Sequence, residues 1–153
     1  MADFTLTSPS FAEGAPIPTR HSCDGSDLSP ALEWRGAPSG TESLALILDD
    51  LDAQGFIHWV VIDIPGGSSG SLPDGIKPTD APLQGRSDFV LSGYGGPCPP
   101  NSPTSSPHRY RFTIWALSTQ LNLSGTPPAD EVRAAMADHI LAQATLTGTY
   151  TRK

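Results

Sequence analysis

Short apolar runs separated by turn-rich segments make up the hydrophobic pattern of this chain. The runs at 43–48 and 58–64 are continuous and show no helical period, which indicates strands buried on both faces. Residues 110–117 instead alternate aromatic and polar side chains, a pattern typical of a strand. In all, the pattern predicts strands at residues 4–7, 32–34, 43–48, 58–64, 110–117 and 144–151.

One helix is predicted, at about residues 127–142. Thr126 is placed to cap it and Pro127 suits its first position. Its apolar stripe consists of Val132, Ala135, Met136 and Ile140. The predicted loops, rich in glycine, proline and serine, are 8–40 apart from the short strand at 32–34 inside it, 66–72 and much of 73–87. The expected fold class is mainly β: a β-sandwich of central strands with long ordered loops and a C-terminal peripheral helix.

Composition and charge narrow the class of protein. The chain has 153 residues with 15 Gly and 16 Pro, which favours a single domain, residues 1–153, with many turns. The net charge is −7 and the nine Lys and Arg residues are not clustered, so no nucleic-acid surface is expected. No apolar run approaches the roughly 20 residues that span a bilayer, and the N-terminus does not resemble a signal peptide. We therefore expect a cytoplasmic protein without stable membrane insertion.

The two cysteines, Cys23 and Cys98, lie far apart in the sequence. Two thiols are too few for a zinc motif. In a reducing compartment, free buried thiols are favoured over a disulfide. The sequence therefore predicts free thiols, with a bridge as the alternative.

Four polar segments lie within or beside the apolar runs and carry the candidate chemistry. They are Asp49–Asp50–Leu51–Asp52, His58–Trp59, Gly93–Tyr94–Gly95–Gly96–Pro97 and His108–Arg109–Tyr110. Ionisable groups at the mouths of buried strands cost desolvation free energy unless they are paired or used. Their recurrence predicts one shared pocket. Two imidazoles, two or three carboxylates and glycine-exposed backbone amides suit a small anionic or zwitterionic ligand.

The histidines are the central candidates. The short span from Asp52 to His58 predicts an antiparallel return of the chain, which brings His58 close to the carboxylates. A carboxylate beside an imidazole raises the pKa of the imidazole and fixes its tautomer. The alternative is a core histidine with one satisfied nitrogen. Strand alternation puts His108 and Tyr110 on one face and leaves Arg109 on the other, free to brace a loop through a carboxylate.

The segment Gly93–Pro100 is the remaining candidate. Its glycines allow backbone amides to approach an anion closely, while its prolines stiffen the flank. Beside two histidines, the segment is predicted to form an anion nest. The alternative is a rigid loop that binds nothing.

No established catalytic motif is present in the sequence. A Gly-x-Ser-x-Gly elbow is missing, as are a P-loop and a dinucleotide fingerprint. Cys98 could pair with His58 or His108, but no predicted helix N-terminus would lower its pKa. A metal site from Asp50, Asp52 and the two histidines is conceivable, yet no compact ligand pair supports it. We therefore expect neither a cofactor nor a metal.

Five segments fall in one order along the chain: Ser29–Trp34, Asp50–Gln54, His58–Val61, Gly93–Pro100 and His108–Phe112. Together they resemble the phosphatidylethanolamine-binding protein family, in particular its short bacterial and archaeal Raf-kinase-inhibitor-like branch. The resemblance runs from about Phe4 to Tyr150. Any one segment is only modestly specific, whereas five in register are specific.

The resemblance implies a β-sandwich with peripheral helices and a small pocket for phosphate, acetate or a phosphorylethanolamine head group. Carried onto this chain, the ligand-binding residues are Asp50, His58, His108, Tyr110 and the backbone of Gly95, Gly96 and Pro97, and the supporting residues are Asp52, Trp59 and Arg109. The family's acidic motif usually reads Asp-Pro-Asp-x-Pro. Leu51 and Gln54 replace both prolines here, which is expected to make this loop more mobile before a ligand binds.

The leading hypothesis is a non-enzymatic binding protein, since family members are mostly ligand-binding modulators of kinases or proteases. Its pocket would hold a phosphate-like anion through both histidines, Tyr110 and loop amides, with Asp50 accepting from an ammonium or an imidazole. The alternative is a hydrolase that uses the Asp/His cluster as general acid and base, with or without a metal. A third interpretation is an interaction module whose pocket rim contacts a protein partner. A symmetric homodimer stays open, because no sequence feature decides it.

Overall fold

The computed structural model describes residues 3–101 and 106–152, which form two antiparallel sheets and one helix. The elements are β1 (Thr5–Thr7), β2 (Leu32–Arg35), β3 (Ser43–Asp50), β4 (Phe56–Pro65), β5 (Ser69–Leu72), β6 (His108–Leu117), α1 (Ala129–Met136) and β7 (Ile140–Tyr150). A 3-10 turn at Thr19–His21 lies in the long segment between β1 and β2. The strand order is β1-β2-β5 in the smaller sheet and β4-β3-β6-β7 in the larger sheet.

The main apolar core lies between the two sheets. Leu6 and Trp34 of the smaller sheet and Leu46 and Phe112 of the larger sheet belong to one buried cluster. Every residue of β3 is buried, because this central strand is covered on both faces. The prediction of a mainly β fold with a helix near the C-terminus is confirmed.

Helix α1 covers the outer face of the larger sheet, the face turned away from the main core. Val132 and Met136 pack there on a second buried cluster that includes Ile47 and Val60. The helix is shorter than predicted: it begins after Pro128, whose side chain makes no capping hydrogen bond, and it ends at Met136. The prediction that the helix continues to residue 142, with Ile140 in its stripe, is wrong. Ile140 instead pairs with Leu117 in the sheet, because strand pairing there competes with a weak helical pattern.

The prediction of a loop over residues 66–72 is also partly wrong, since β5 occupies Ser69–Leu72. This strand pairs with β2, and Trp34 lies opposite Gly70. A Cβ atom at Gly70 would come within 2.7 Å of the indole ring of Trp34. Glycine is therefore present because the indole lies across the strand, a tertiary reason that local composition does not reveal.

Candidate functional site

The candidate pocket lies at one end of the larger sheet, where β3 ends and where β4 and β6 begin. Asp50, the last residue of β3, pairs with Phe56 on β4 and with Tyr110 on β6. The register of three adjacent strands thus brings together polar groups that are up to 60 residues apart in the sequence. The predicted shared pocket has this structural basis.

Strand β4 contains a β-bulge at His58. Leu48 of β3 pairs with Trp59, but the next residue, Asp49, pairs with Ile57, so His58 is the extra residue of the bulge. The segment between β5 and β6 supplies hydrogen-bond partners for the backbone of the bulge. Ile57 donates its N–H to the carboxylate of Asp88 at 2.8 Å, and the carbonyl of His58 accepts from Gly95 at 3.0 Å. The bulge directs the imidazole of His58 into the pocket.

Asp50 and His108 form the closest polar pair of the pocket. Nδ1 of His108 lies 2.7 Å from Oδ2 of Asp50, whose side chain is only 4% exposed. The other oxygen of Asp50 accepts the N–H of Asp52 at 2.8 Å. Since a carboxylate accepts only, His108 donates from Nδ1 and keeps Nε2 for a ligand.

The ring of His58 is held by a backbone carbonyl instead. Its Nδ1 lies 2.7 Å from the carbonyl oxygen of Gly95, so this nitrogen carries the proton and Nε2 is the nitrogen available to a ligand. Burial lowers the pKa of His58 from its ordinary value, against a smaller opposing effect of the Gly95 hydrogen bond. The predicted effect of a nearby carboxylate is present, since the charge of Asp50 acts to raise the pKa of His58, but burial outweighs it and the net shift is downward. The carboxylate of Asp50 forms its hydrogen bond with His108 and not with His58.

Tyr110 supplies a third polar group. Tyr110 is fully buried, and its hydroxyl has no hydrogen bond of good geometry with any described residue. Burial, and next the negative charge of the nearby Asp50, raise the pKa of Tyr110 well above its ordinary value. The phenol therefore stays neutral and has one proton to donate, either to the nearby Asp50 or to a ligand. The ring of Tyr110 stacks on that of His108 at a centroid distance of 6.3 Å, which confirms that these two side chains share a face.

Aromatic rings enclose much of the pocket. The ring of Phe89 lies 4.8 Å from that of Phe56 and 5.1 Å from that of His58, both in edge-to-face contact. The cavity has a volume of about 240 Å³ and is lined by Asp50, Ala53, Phe56, His58, Phe89, Cys98, Pro99, Pro100, His108 and Tyr110. It is smaller than the sites of drug-sized ligands and suits one small head group.

Some of these lining residues were missed by sequence reasoning. Phe56 could have been predicted from strand alternation, because it lies two residues before His58 in the same strand. Phe89 gave no such signal, since it lies in a long turn-rich segment.

A larger groove of about 500 Å³ lies at the other end of β4, but Asp63 is the one charged residue among its described lining residues. The smaller pocket is therefore the site with convergent ionisable groups.

The segment Gly93–Pro100 contributes to the pocket differently from the prediction. The N–H of Gly95 is donated to His58, and the N–H of Gly96 is donated to the carboxylate of Asp27 at 2.8 Å. Pro97 has no N–H, and its carbonyl accepts from Cys23. Gly95, Gly96 and Pro97 do not line the cavity, so the prediction that their backbone forms an anion nest is wrong in this structure. The wall is instead built from the residues that follow, Cys98 to Pro100.

Cys23 and Cys98 form a disulfide, so the prediction of free thiols is wrong for the folded chain. The bridge ties the segment around the 3-10 turn to the wall of the pocket. The prediction rested on the expected compartment, whereas the fold brings the two Cα atoms within 5.4 Å of each other, a distance that a disulfide spans. It also leaves Cys98 without the thiol that a thiol–imidazole pair would need.

The supporting residues take distinct positions. Asp52 accepts hydrogen bonds from the backbone N–H, Nε and Nη2 of Arg109, at 2.7, 3.1 and 3.1 Å. These bonds, the side-chain ones first, lower the pKa of Asp52. Trp59 is buried in the main core and donates from Nε1 to Gln84 at 2.9 Å. Arg109 thus braces the loop after β3, as expected, while Trp59 supports the pocket from the core without lining it.

Two further features bear on the chemistry of the chain. Within residues 3–101 and 106–152, no three His, Cys, Asp or Glu side chains converge in a way that could hold a metal ion. In the same part of the chain, no helix is long and apolar enough to cross a membrane.

Comparison with known proteins agrees with the fold. Residues 7–151 match the protein family described as Phosphatidylethanolamine-binding protein. A UPF0098 protein of Methanothermobacter thermautotrophicus is 41% identical over 152 residues, covering 96% of this chain and 98% of the relative. The crystal structure of YbcL from Escherichia coli superimposes with a TM-score of 0.89 at 34% identity, covering 99% of this chain and 100% of YbcL. That of the homologue CT736 from Chlamydia trachomatis gives a TM-score of 0.89 at 32% identity, with 100% of both chains covered. This chain therefore belongs to the phosphatidylethanolamine-binding protein family, in the bacterial and archaeal branch that includes YbcL.

Proposed function

We propose that this protein is a non-enzymatic binding protein whose pocket takes phosphate or a phosphorylethanolamine-type head group. The observation that supports this most directly is the convergence of His58, His108 and Tyr110 on one small cavity, with Asp50 behind His108. Family membership supports a pocket for an anionic head group. The finer identity of the ligand rests on the chemistry of these four residues.

The hydrogen-bonding capacity of the pocket suits a ligand that both donates and accepts. Tyr110 donates, while Nε2 of a neutral histidine accepts and Nε2 of a protonated histidine donates. Hydrogen phosphate offers both an O–H and acceptor oxygens. When His108 is doubly protonated, its ring bridges two negative groups, because Nδ1 bonds Asp50 and Nε2 reaches the bound anion.

An ammonium group on the ligand has partners in the same cavity. Asp50 lines it with a carboxylate, and the aromatic residues Phe56 and Phe89 line the same cavity. A zwitterion such as phosphorylethanolamine therefore fits better than a cation or an anion alone. Charge-assisted hydrogen bonds contribute about 1.5–3 kcal/mol each. After the cost of immobilising the ligand, dissociation constants in the micromolar to millimolar range are expected.

The test uses variants that keep the structural hydrogen bond of each histidine and remove the nitrogen that a ligand would reach. Asparagine places an N–H near the position of Nδ1 and has no equivalent of Nε2, so His58→Asn and His108→Asn serve this purpose. Phosphorylethanolamine, inorganic phosphate and ethanolamine are titrated against each protein by NMR. We expect saturable shifts at His58 and His108 in the wild type and an affinity at least about tenfold lower in each variant.

The control for this experiment is His139→Asn. His139 is exposed and lies just before β7, outside the pocket. It should bind like the wild type. Unchanged affinity in both pocket variants, with their fold intact, would overturn the assignment of the pocket.

One observation favours a hydrolase as the second candidate. The 2.7 Å contact between Asp50 and His108 resembles the orienting half of a general acid–base pair. Turnover of a panel of phosphoesters, lost in Asp50→Asn, would establish this activity. Saturable binding without turnover would leave the binding protein as the better account.

A protein partner, such as a kinase or a protease, is a further part of the proposal. It would contact the rim of the pocket and compete with the head group. A pull-down in the presence and absence of phosphorylethanolamine separates a regulated interaction from simple ligand storage.

A further inference from the structure

Asp49 and Asp50 are consecutive in β3 and lie on opposite faces of the larger sheet. Asp50 faces the pocket, whereas Asp49 pairs in register with Arg111 and faces outward. Helix α1 packs over the part of this outer face near β4, and a second cavity, of about 180 Å³, remains beside it. We name this cavity the outer groove; the polar residues that line it are Asp49, Arg111, Thr113, Arg133, Gln143 and Thr145.

The centre of the outer groove is an immobilised guanidinium. Arg111 donates from Nε and Nη2 to the two carboxylate oxygens of Asp49, at 3.2 and 2.9 Å. The Asp49 side chain is 6% exposed, and that of Arg111 is 41% exposed. A bidentate contact to a buried carboxylate fixes the plane of the guanidinium. Nη1 of Arg111 is left without a hydrogen bond to any described residue and is available to a ligand.

Other donors line the same groove without partners of their own. Arg133 of α1 forms no ion pair or hydrogen bond with the described part of the chain, and the same holds for the side chains of Thr145 and Gln143. Thr113 is 5% exposed, and its hydroxyl likewise forms no hydrogen bond within residues 3–101 and 106–152. The groove therefore gathers two guanidinium groups, two hydroxyls and an amide around one carboxylate that is already paired.

Charge makes this arrangement unusual for the chain. The protein has a net charge of −7 with nine Lys and Arg residues in all, yet two arginines face one aspartate in the outer groove. Fixed donors and a local positive charge favour small oxyanions, because each oxygen accepts several charge-assisted hydrogen bonds. The volume of the outer groove fits one such oxyanion with its bound water and excludes a drug-sized ligand.

We propose that the outer groove binds a small oxyanion of the phosphate or carboxylate type, either free in solution or carried on a peptide. Arg111 and Arg133 hold the anion, Thr113 and Thr145 donate from the sheet, and Asp49 positions Arg111. This site is separate from the pocket of the proposed function, because the two lie on opposite faces of the sheet. Either proposal, for the pocket or for the outer groove, can therefore be wrong while the other is correct.

The test uses protein that carries both His58→Asn and His108→Asn, so that binding in the pocket is removed. Inorganic phosphate is titrated while the arginine Nε–Hε signals are followed by NMR, with sodium chloride added to keep the ionic strength constant. We expect saturable shifts at Arg111 and Arg133. Arg133→Gln, an exposed substitution on α1, should weaken this binding at least about tenfold while the fold is retained.

The matched control is Arg35→Gln, which removes an exposed arginine from the smaller sheet and should leave the affinity unchanged. Thr113→Val keeps the shape of the side chain and should weaken binding by removing one donor. The absence of saturable shifts in the wild-type groove, or shifts that Arg133→Gln leaves unchanged, would overturn the proposal.

A second set of titrations identifies the source of the oxyanion. Inorganic phosphate and acetate are compared with a phosphoserine peptide and a glutamate peptide of the same sequence. Equal affinity for free and peptide-borne anions supports a site for free ions. Tighter binding of either peptide, lost in Arg133→Gln, supports a site for an acidic side chain of a partner.

Discussion

His58 and Trp59 are neighbours in β4, yet both side chains lie on the inner side of the larger sheet. Trp59 packs in the core between the sheets, and the ring of His58 lies 5.3 Å from that of Tyr110, in the pocket. Their flanking residues, Ile57 and Val60, both face the outer cluster under α1. A regular strand cannot place two consecutive side chains on one face, so the bulge is what allows a core residue and a pocket residue to be adjacent.

The carboxylate of Asp88 is expected to hold this bulge in place. It accepts the buried N–H of Ile57, and the N–H of Asp88 is donated back to the carbonyl of Ile57 at 2.8 Å. Asp88→Ala should lower the free energy of unfolding by about 1–3 kcal/mol, because it leaves the N–H of Ile57 unpaired. It should also shift the His58 signals. Chemical denaturation and NMR measure these effects.

Asp88→Asn is the matched variant, since its side-chain oxygen can still accept from Ile57. It should retain most of the stability and the position of His58. Equal losses in the two variants would show that the charge of Asp88, and not its hydrogen bond, supports the bulge.

The two fully or nearly fully buried histidines should titrate below the ordinary pKa of about 6.5. Burial is the largest cause for both His58 and His21, and it outweighs the hydrogen bonds from Nδ1 to the carbonyls of Gly95 and Leu28. The unfolded chain then takes up these protons at a higher pH than the folded chain does. Their contribution to stability is thus complete above about pH 6.5 and is lost as the pH falls through the lowered pKa values.

Titration of the ring signals by NMR tests the direction of both shifts. The midpoints of His58 and His21 should lie below that of a histidine in a short unstructured peptide under the same conditions. The free energy of unfolding should fall as the pH is lowered from 7. A His58 midpoint at or above the peptide value would contradict the assignment of a neutral, buried imidazole.

The main strands could be predicted because buried strands give continuous or alternating apolar runs in the sequence. The continuous apolar run at 43–48 belongs to the central strand, and every residue of β3 is buried. The pairing of β3 with β4 followed from the short connection between them. β5 was missed, because its glycine and serines are suited to a strand only when Trp34 covers Gly70 from the neighbouring strand.

The ionisable members of the site were predicted from the sequence, but the hydrogen bonds between them were not. Asp50, His58, His108 and Tyr110 do converge on one cavity. Which histidine pairs with Asp50 depends on the bulge at His58, and a bulge leaves no mark in the hydrophobic pattern. The backbone N–H groups of Gly95 and Gly96 form hydrogen bonds within the fold, to His58 and Asp27, which are distant in the sequence. Long-range pairing of this kind is set by the tertiary fold.

The loop after β3 should reject the proline that the family motif carries at its end. Gln54 has a φ of 57°, in the left-handed region, whereas the ring of proline fixes φ near −65°. Gln54→Pro should therefore lower the free energy of unfolding by more than about 1 kcal/mol, despite matching the family pattern. Gln54→Gly should raise it by about 0.5–1 kcal/mol, because glycine adopts a positive φ without strain. Denaturation by urea measures both, and a stabilising Gln54→Pro would mean that the loop has another conformation in solution.

The disulfide should matter for both stability and the pocket. It joins residues separated by 75 positions, so its removal restores much conformational entropy to the unfolded chain, worth about 4 kcal/mol in the chain-entropy model. Cys98 also lines the cavity, and the bridge ties this wall to the segment around Cys23. Cys23→Ser with Cys98→Ser should lower the unfolding midpoint and weaken phosphate binding.

A comparison between variants separates these two effects. Cys23→Ser with Cys98→Ser is set against Leu6→Ala, which destabilises the chain through the core on the side of the smaller sheet, away from the pocket, while the bridge stays closed. Phosphate affinity is measured at a temperature where each protein is fully folded, so that unfolding does not contribute. The hydrogen bonds of Cys23 to Pro97 and of Gly96 to Asp27 remain in the serine variant, and they should keep the wall near its native position. A severalfold loss of affinity is therefore expected, and affinity equal to the wild type would mean that those hydrogen bonds alone position the wall.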